Sequence, residues 1–175
     1  MKQSTSPSAA KRSRMLQSLT PTPNALMVPA SRSSDSALCF MLAGRYTLLD
    51  HTALDTFLPD CERRGISVLM AAPFNSGILA TGARDGATFF YVEADSEIKE
   101  RTRRIEAACA RHGVPLAAAA IQFPLHHPAV ASVVTGMRSA AEATDNVAHC
   151  RAVIPTAFWD ELKSLGLIDR AAPTG

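Results

Sequence analysis

From residue 36 onward, short apolar runs alternate with amphipathic stretches. Leu38–Leu42 (LCFML) and Ile66–Ala72 (ISVLMAA) are continuous apolar segments of strand length, and Ala131–Val134 (ASVV) is a shorter third. Runs of this kind are expected of strands covered on both faces. Between the first two, Thr52–Arg64 places Leu54, Phe57, Leu58 and Cys61 at helical spacing before Gly65, with Pro59 expected to kink or divide the helix. A loop rich in small residues runs from Pro73 to about Val92. Ser96–His112 reads as a longer helix, with Asp95 as N-cap and Gly113 as its stop. Its inner face is Ile98, Ile105, Ala108 and Cys109, with Lys99, Arg103 and Arg104 pointing outward. Pro115 opens another helix, Leu116–Phe123, and the capping box Ser139-Ala140-Ala141-Glu142 starts one that reaches about Cys150. The last helix starts at Pro155 or Thr156, sets Phe158, Leu162 and Leu165 on one face, and ends at Gly166. This alternation predicts an α/β protein with a parallel sheet.

Residues 1–35 break the pattern. They hold eight Ser, four Pro and three Thr, and no apolar periodicity, so they read as a disordered tail ahead of a domain over 36–175. The five basic residues of this tail (Lys2, Lys11, Arg12, Arg14, Arg32) face one acid, Asp35. That balance resembles a transit peptide but also suits any solvated tail. Without it the formal charge of +2 becomes −2, which offers no electrostatic footprint for nucleic acid. No run approaches the roughly 18 apolar residues of a membrane span, so no membrane partner is expected. Cys39, Cys61, Cys109 and Cys150 match neither a CxxC pair nor a zinc site, and read as buried free thiols of a cytoplasmic protein. At 175 residues the chain is too short for a closed eight-stranded β/α barrel, which takes roughly 250.

Two segments carry candidate chemistry. Asn75-Ser76-Gly77 follows a predicted strand directly, and offers backbone N–H groups, a hydroxyl, an amide and a glycine that permits close approach to a phosphate. An ordinary polar loop would look the same. Gly136-Met137-Arg138 leads into the helix capped by Ser139, where a helix N-terminus and a guanidinium both favour an anion. A surface arginine near a helix start is the plain alternative. Tyr46 and His51 could be cast as an acid–base pair, but no lysine lies near Tyr46 in sequence to depress its pKa. His126-His127 lacks a third ligand and reads as loop, and the basic run over 99–104 reads as a solvated helix face.

Four stretches together resemble the aldo-keto reductase family: RYTLLD (45–50), PFNSGILATG (73–82), ARHGVPLAAAAIQFPL (110–125) and HPAVASVVTG (127–136). The likeness spans about residues 37–172 and is nearest to the branch of L-fucose and D-threo-aldose 1-dehydrogenases. It implies a partial (β/α)8 TIM barrel, about the last three β/α units with a C-terminal helix. It also implies NADP or NAD as cofactor, held by Phe74, Asn75, Ser76, Gly77 and Leu79 and by Gly136, Met137, Arg138, Glu142 and Asn146. Within that set Gly136 and Arg138 are placed near the adenosine 2′-phosphate or ribose, and Glu142 and Asn146 nearer the adenine. The chain departs from the family's pattern at Gly136, where many relatives have lysine. It departs again at Ala71 and Ala43, where many have a nicotinamide-stacking tyrosine and an amide-binding glutamine.

The family's Asp, Tyr, Lys and His tetrad finds no counterpart here, so no catalytic residue and no metal ligand is assigned. Two readings follow from the resemblance. In one, the chain is the cofactor half of an NAD(P)-dependent oxidoreductase of aldoses, acting on a small sugar or aldehyde once a separate N-terminal half supplies the tetrad. In the other, it is a non-catalytic truncated gene product, at most a weak nucleotide binder. Either way, unpaired edges are expected at Leu38–Leu42 and Ala131–Val134, and with them self-association. The inward side chains of Phe40, Val68 and Met70, or their strand neighbours, would lose their covering wall.

Overall fold

A computed structural model of the chain describes residues 25–29 and 38–174, with Ala25–Pro29 and Leu38 described through the backbone alone. Its main sheet has four strands in the order β1 (Ala25–Pro29), β2 (Leu38–Ala43), β3 (Ser67–Ala71) and β6 (Val130–Val134). β2, β3 and β6 run parallel, with a register shift between Val68 and Leu69 where β3 meets β6. These are the three strands that the apolar runs predict.

β1 corrects the expectation of disorder over residues 1–35 at one place. It pairs antiparallel with β2 from Ala25↔Leu42 to Pro29↔Leu38, so the expected open edge at Leu38–Leu42 is covered. The cause is local. Leu26, Met27 and Val28 form a short apolar run between Pro23 and Pro29, and β2 offers a row of backbone groups that must pair. The rest of that tail lies outside the described residues.

Helices cover one face of the sheet. Phe40, Leu42, Val68 and Met70 are buried there against Phe57, Leu58 and Cys61 of α1 (Phe57–Arg63) and Ile105 and Cys109 of α3 (Ser96–His112). Ala119 and Ala120 of α4 (Leu116–Gln122) and Phe158, Trp159 and Leu162 of α6 (Thr156–Ser164) complete this core. The opposite face, carrying Met41, Leu69 and Ala71, is only half-buried, and Val134 there is 42% exposed. The uncovered side chains are therefore the strand neighbours of Phe40, Val68 and Met70 rather than those three.

Helix ends follow their predicted chemistry. Asp95 Oδ1 accepts the Ile98 N–H at 2.8 Å, and Gly113 ends α3 at φ 64°. The predicted helix over Thr52–Arg64 divides before Pro59, into a 3-10 turn at Thr52–Leu54 and α1, because proline is tolerated in a first turn where its missing N–H has no helical partner. Three expectations need correction. Leu165 is 41% exposed, and Trp159 takes the buried place beside Phe158 and Leu162 because α6 has already ended at Ser164. Cys150 is an exposed thiol, since α5 (Ala140–Arg151) buries no residue at all. Arg101, within the basic run, is drawn inward: its guanidinium donates to the carbonyls of Leu49 (3.1 Å) and Leu167 (2.7 Å).

Candidate nucleotide-binding cleft

Small residues shape the carboxyl ends of β2 and β3. Gly44 leaves β2 at φ 68°, and a Cβ there would meet the Phe90 ring at 3.2 Å, so both the turn and the close approach require glycine. After β3 the chain passes through Ala72, Asn75 and Ser76, all at positive φ, into α2 (Ile78–Thr81). A hairpin of β4 (Thr88–Phe89) and β5 (Val92–Glu93) then folds back, with Phe90 and Tyr91 at its tip, also at positive φ. These five are the non-glycine residues of positive φ among the described residues, and each costs on the order of 1 kcal/mol. Strain is thus concentrated where the loop and hairpin meet. Ser76 joins them: its Oγ accepts the Tyr91 N–H at 3.0 Å and its carbonyl accepts the Thr88 hydroxyl at 2.9 Å.

Between this loop and the start of α5 lies a cleft of about 690 Å³. It brings together Phe74, Ser76 and Gly77 from one side with Gly136, Arg138, Glu142 and Asn146 from the other, residues about sixty positions apart in the chain. Three residues of the predicted set do not line it. Leu79 is fully buried in the core and its N–H is bonded to the Phe74 carbonyl. Met137 is 52% exposed beside the cleft rather than in it. Asn75 is buried, its Nδ2 donating to the Gly44 carbonyl at 3.4 Å, and it lines an adjoining cavity of about 260 Å³ with Ala43, Gly44, Ala72, Phe90 and Tyr91.

On the α5 side, Ser139 Oγ accepts the Glu142 N–H at 3.1 Å, as the capping box requires. The reciprocal contact falls one residue earlier than the motif predicts, on the Arg138 N–H. That bond, more than the guanidinium, holds the Glu142 carboxyl below the usual glutamate range. Asn146 Nδ2 donates to Thr135 Oγ1 at 3.3 Å, and Gln122 Nε2 donates to the His149 and Ala152 carbonyls, fixing α5 to the exit of β6 and to α4.

Arg84, Thr88, Tyr91, Asp145 and His149 also line the cleft and escape the sequence reading. Asp145 and His149 were within reach of it, because 142, 145, 146 and 149 share one helical face. The hairpin residues gave no comparable signal.

The groups set aside are placed outside the cleft. Tyr46 is fully buried against Phe123, and burial, reinforced by Asp169, pushes its phenol far above the ordinary value. His51 is pushed down to about 4 by burial and by Arg101. The Tyr46 hydroxyl and His51 Nε2 are both buried without a hydrogen-bond partner among the described residues, so the two are not joined as an acid–base pair, and neither lines the cleft. His127 is buried with Nδ1 accepting the Ala129 N–H, whereas His126 packs on Trp159. Among the described residues no three His, Cys, Asp or Glu side chains converge to hold a metal, and no helix is long and apolar enough to cross a membrane.

Comparison with known proteins bears on the family and the fold. The chain is 46% identical over 130 residues to a pyridoxal 4-dehydrogenase of Microbacterium luteolum, covering 74% of this chain and 38% of that protein. It is 43% identical over 141 residues to a D-threo-aldose 1-dehydrogenase of a Pseudomonas species, covering 79% of this chain and 42% of that one. The chain thus spans about two-fifths of the length of these relatives. The apo form of an aldo-keto reductase from Bacillus halodurans superposes with a TM-score of 0.56 at 21% identity, over 71% of this chain and 42% of that structure, which supports the partial-barrel fold. The sequence profile of the Aldo/keto reductase family matches residues 31–166, and the chain belongs to that family.

Proposed function

We propose that this chain forms the nucleotide-binding part of an NAD(P)-dependent oxidoreductase that acts on aldoses or related small carbonyl compounds. The observation that carries this reading is the single cleft built from the loop after β3 and the start of α5, at the carboxyl edge where β/α barrels bind their ligands. The residues present suit a dinucleotide: two guanidinium groups, Arg84 and Arg138, suit phosphates, and Ser76 and Gly77 add a hydroxyl and an open backbone. A bound nicotinamide nucleotide would supply the hydride acceptor or donor. The chain's own part is to bind and orient it, with Glu142 and Asn146 on the adenosine side and Ser76–Gly77 along the phosphates.

Proton transfer is not assigned to this chain. Neither Tyr46 nor His51 meets the cleft, and the family resemblance assigns the proton-transfer groups to segments that have no counterpart in this chain. The relatives' names favour a substrate that is a sugar or a hydroxylated aldehyde. A fluorescence titration with NADPH tests the reading. Saturable binding by the wild type, lost in Gly136→Trp, is expected, because no atom within 4 Å of a Cβ at Gly136 obstructs a larger side chain, which would fill the cleft. Binding that survives Gly136→Trp unchanged would place the nucleotide elsewhere.

A further inference from the structure

β1 differs from the rest of the main sheet in sequence and in direction. The family profile begins at residue 31, after β1 has ended at Pro29. β2, β3 and β6 run parallel, whereas β1 runs antiparallel and stands opposite every residue of β2 from Leu38 to Leu42. The direction has a simple cause. A connection of eight residues (30–37) can reverse the chain, but it is shorter than the crossover of roughly a dozen residues that a parallel neighbour needs. Pro29 also has no N–H for the ladder, and proline in a sheet belongs on an edge.

In a closed β/α barrel each strand has a parallel neighbour on both sides. Among the described residues β2 has one such neighbour, β3, and β1 takes the other side. β1 leaves uncovered what an opposite barrel wall would cover, because Cys39, Met41 and Leu69 on the face away from the helices stay half-buried.

We infer that β1 is a detachable strap on the β2 edge, and that the partner it holds off is a parallel strand of a complementary β/α segment. This stands independently of the nucleotide reading above. Such a segment fits on two counts: its strand continues the direction of β2, β3 and β6, and its own wall covers Met41 and Leu69. The chain spans about two-fifths of its relatives, and the remainder of a relative is a segment of this kind. A five-residue strand paired with a single neighbour is weakly held, so the extra apolar burial favours the exchange.

Val28 stands opposite Cys39, so Val28→Cys can lock the strap with a disulfide. The lock is made together with Cys150→Ser, because Cys150 is an exposed thiol, and thiol titration confirms the bond. The part of the Pseudomonas relative outside its region of likeness is diluted from urea into each whole purified chain, and native mass spectrometry reads the complexes. The wild type and the reduced lock should capture that part, the oxidised lock should lose the complex, and deletion of residues 25–29 should form it fastest. Capture by the deletion variant alone also supports the strap, as a cap that stays closed. Equal capture by the oxidised and reduced lock, or no capture by the wild type and the deletion variant, overturns the proposal. Pairing only between copies of this chain once the strap is released overturns the choice of partner.

Discussion

Glu142 grips Arg138 twice, its Oε2 accepting the Arg138 backbone N–H at 2.7 Å and its Oε1 the guanidinium Nη2 at 3.3 Å. The first contact closes the start of α5 and the second lies in open solvent, with the Arg138 side chain 92% exposed. An exposed ion pair is worth little to folding, typically about 0–1 kcal/mol. Arg138→Ala should therefore leave the thermal midpoint almost unchanged while weakening NADP binding by roughly 1.5–3 kcal/mol, the scale of one charge-assisted phosphate contact. Paired melts and titrations check both halves. Equal NADP affinity in mutant and wild type would remove Arg138 from the site.

Ser139→Ala should act in the opposite sense. It removes the acceptor of the Glu142 N–H and with it the cap of a helix that buries no residue. A loss of about 1 kcal/mol is expected, read as a lower urea midpoint at unchanged slope. Local fraying should appear first as faster amide exchange over Ala140–Ala143. A wild-type midpoint and wild-type exchange would show that α5 is held by Gln122 and Asn146 instead.

His51 gives the fold a pH dependence of known sign. Burial, then Arg101, lower its pKa to about 4, against 6.5 when the chain is unfolded. As pH falls below about 6.5 the unfolded state takes up a proton that the folded state refuses, so stability declines until about pH 4, where both are protonated. His126 and His127 are shifted the same way by burial. Urea midpoints should drop steadily from pH 7 to pH 4.5, by an amount on the order of 1–3 kcal/mol for His51, and the drop should shrink in His51→Gln. A flat profile over that range would mean that His51 is protonated in the fold at little cost.

The sequence revealed the three parallel strands, the α3 caps and both walls of the cleft because each rests on local chemistry: an apolar run, Asp95 and Gly113, a small-residue loop, a capping serine. It did not reveal β1. Leu26, Met27 and Val28 are too few to read as a strand alone, and become one by pairing with β2, a contact between separate parts of the chain. The hairpin was hidden for a related reason. Its tip at Phe90 and Tyr91 lacks the glycine or asparagine that normally marks positive φ, and Ser76 stabilises it from fifteen residues away. Leu79 and Asn75 show a further limit: resemblance placed both on the cofactor, whereas packing turns one into the core and the other toward a neighbouring cavity.

Assembly follows from the sheet. β1 covers the β2 edge, but among the described residues β6 pairs only with β3, and Met41, Leu69 and Val134 lie on the half-covered face. Light scattering should show self-association of the isolated chain, increased when residues 25–29 are deleted and reduced in Val134→Lys, since a charge on an open edge blocks strand pairing. A monomer of unchanged size in all three proteins would show that this face is covered by other means.

The central claim is that one cleft, built from two distant segments, holds a nicotinamide dinucleotide. Hydrogen–deuterium exchange with and without saturating NADP tests it most directly. Protection confined to about residues 74–88 and 136–146 is the predicted result. No protection, or protection that spares both segments, would contradict it.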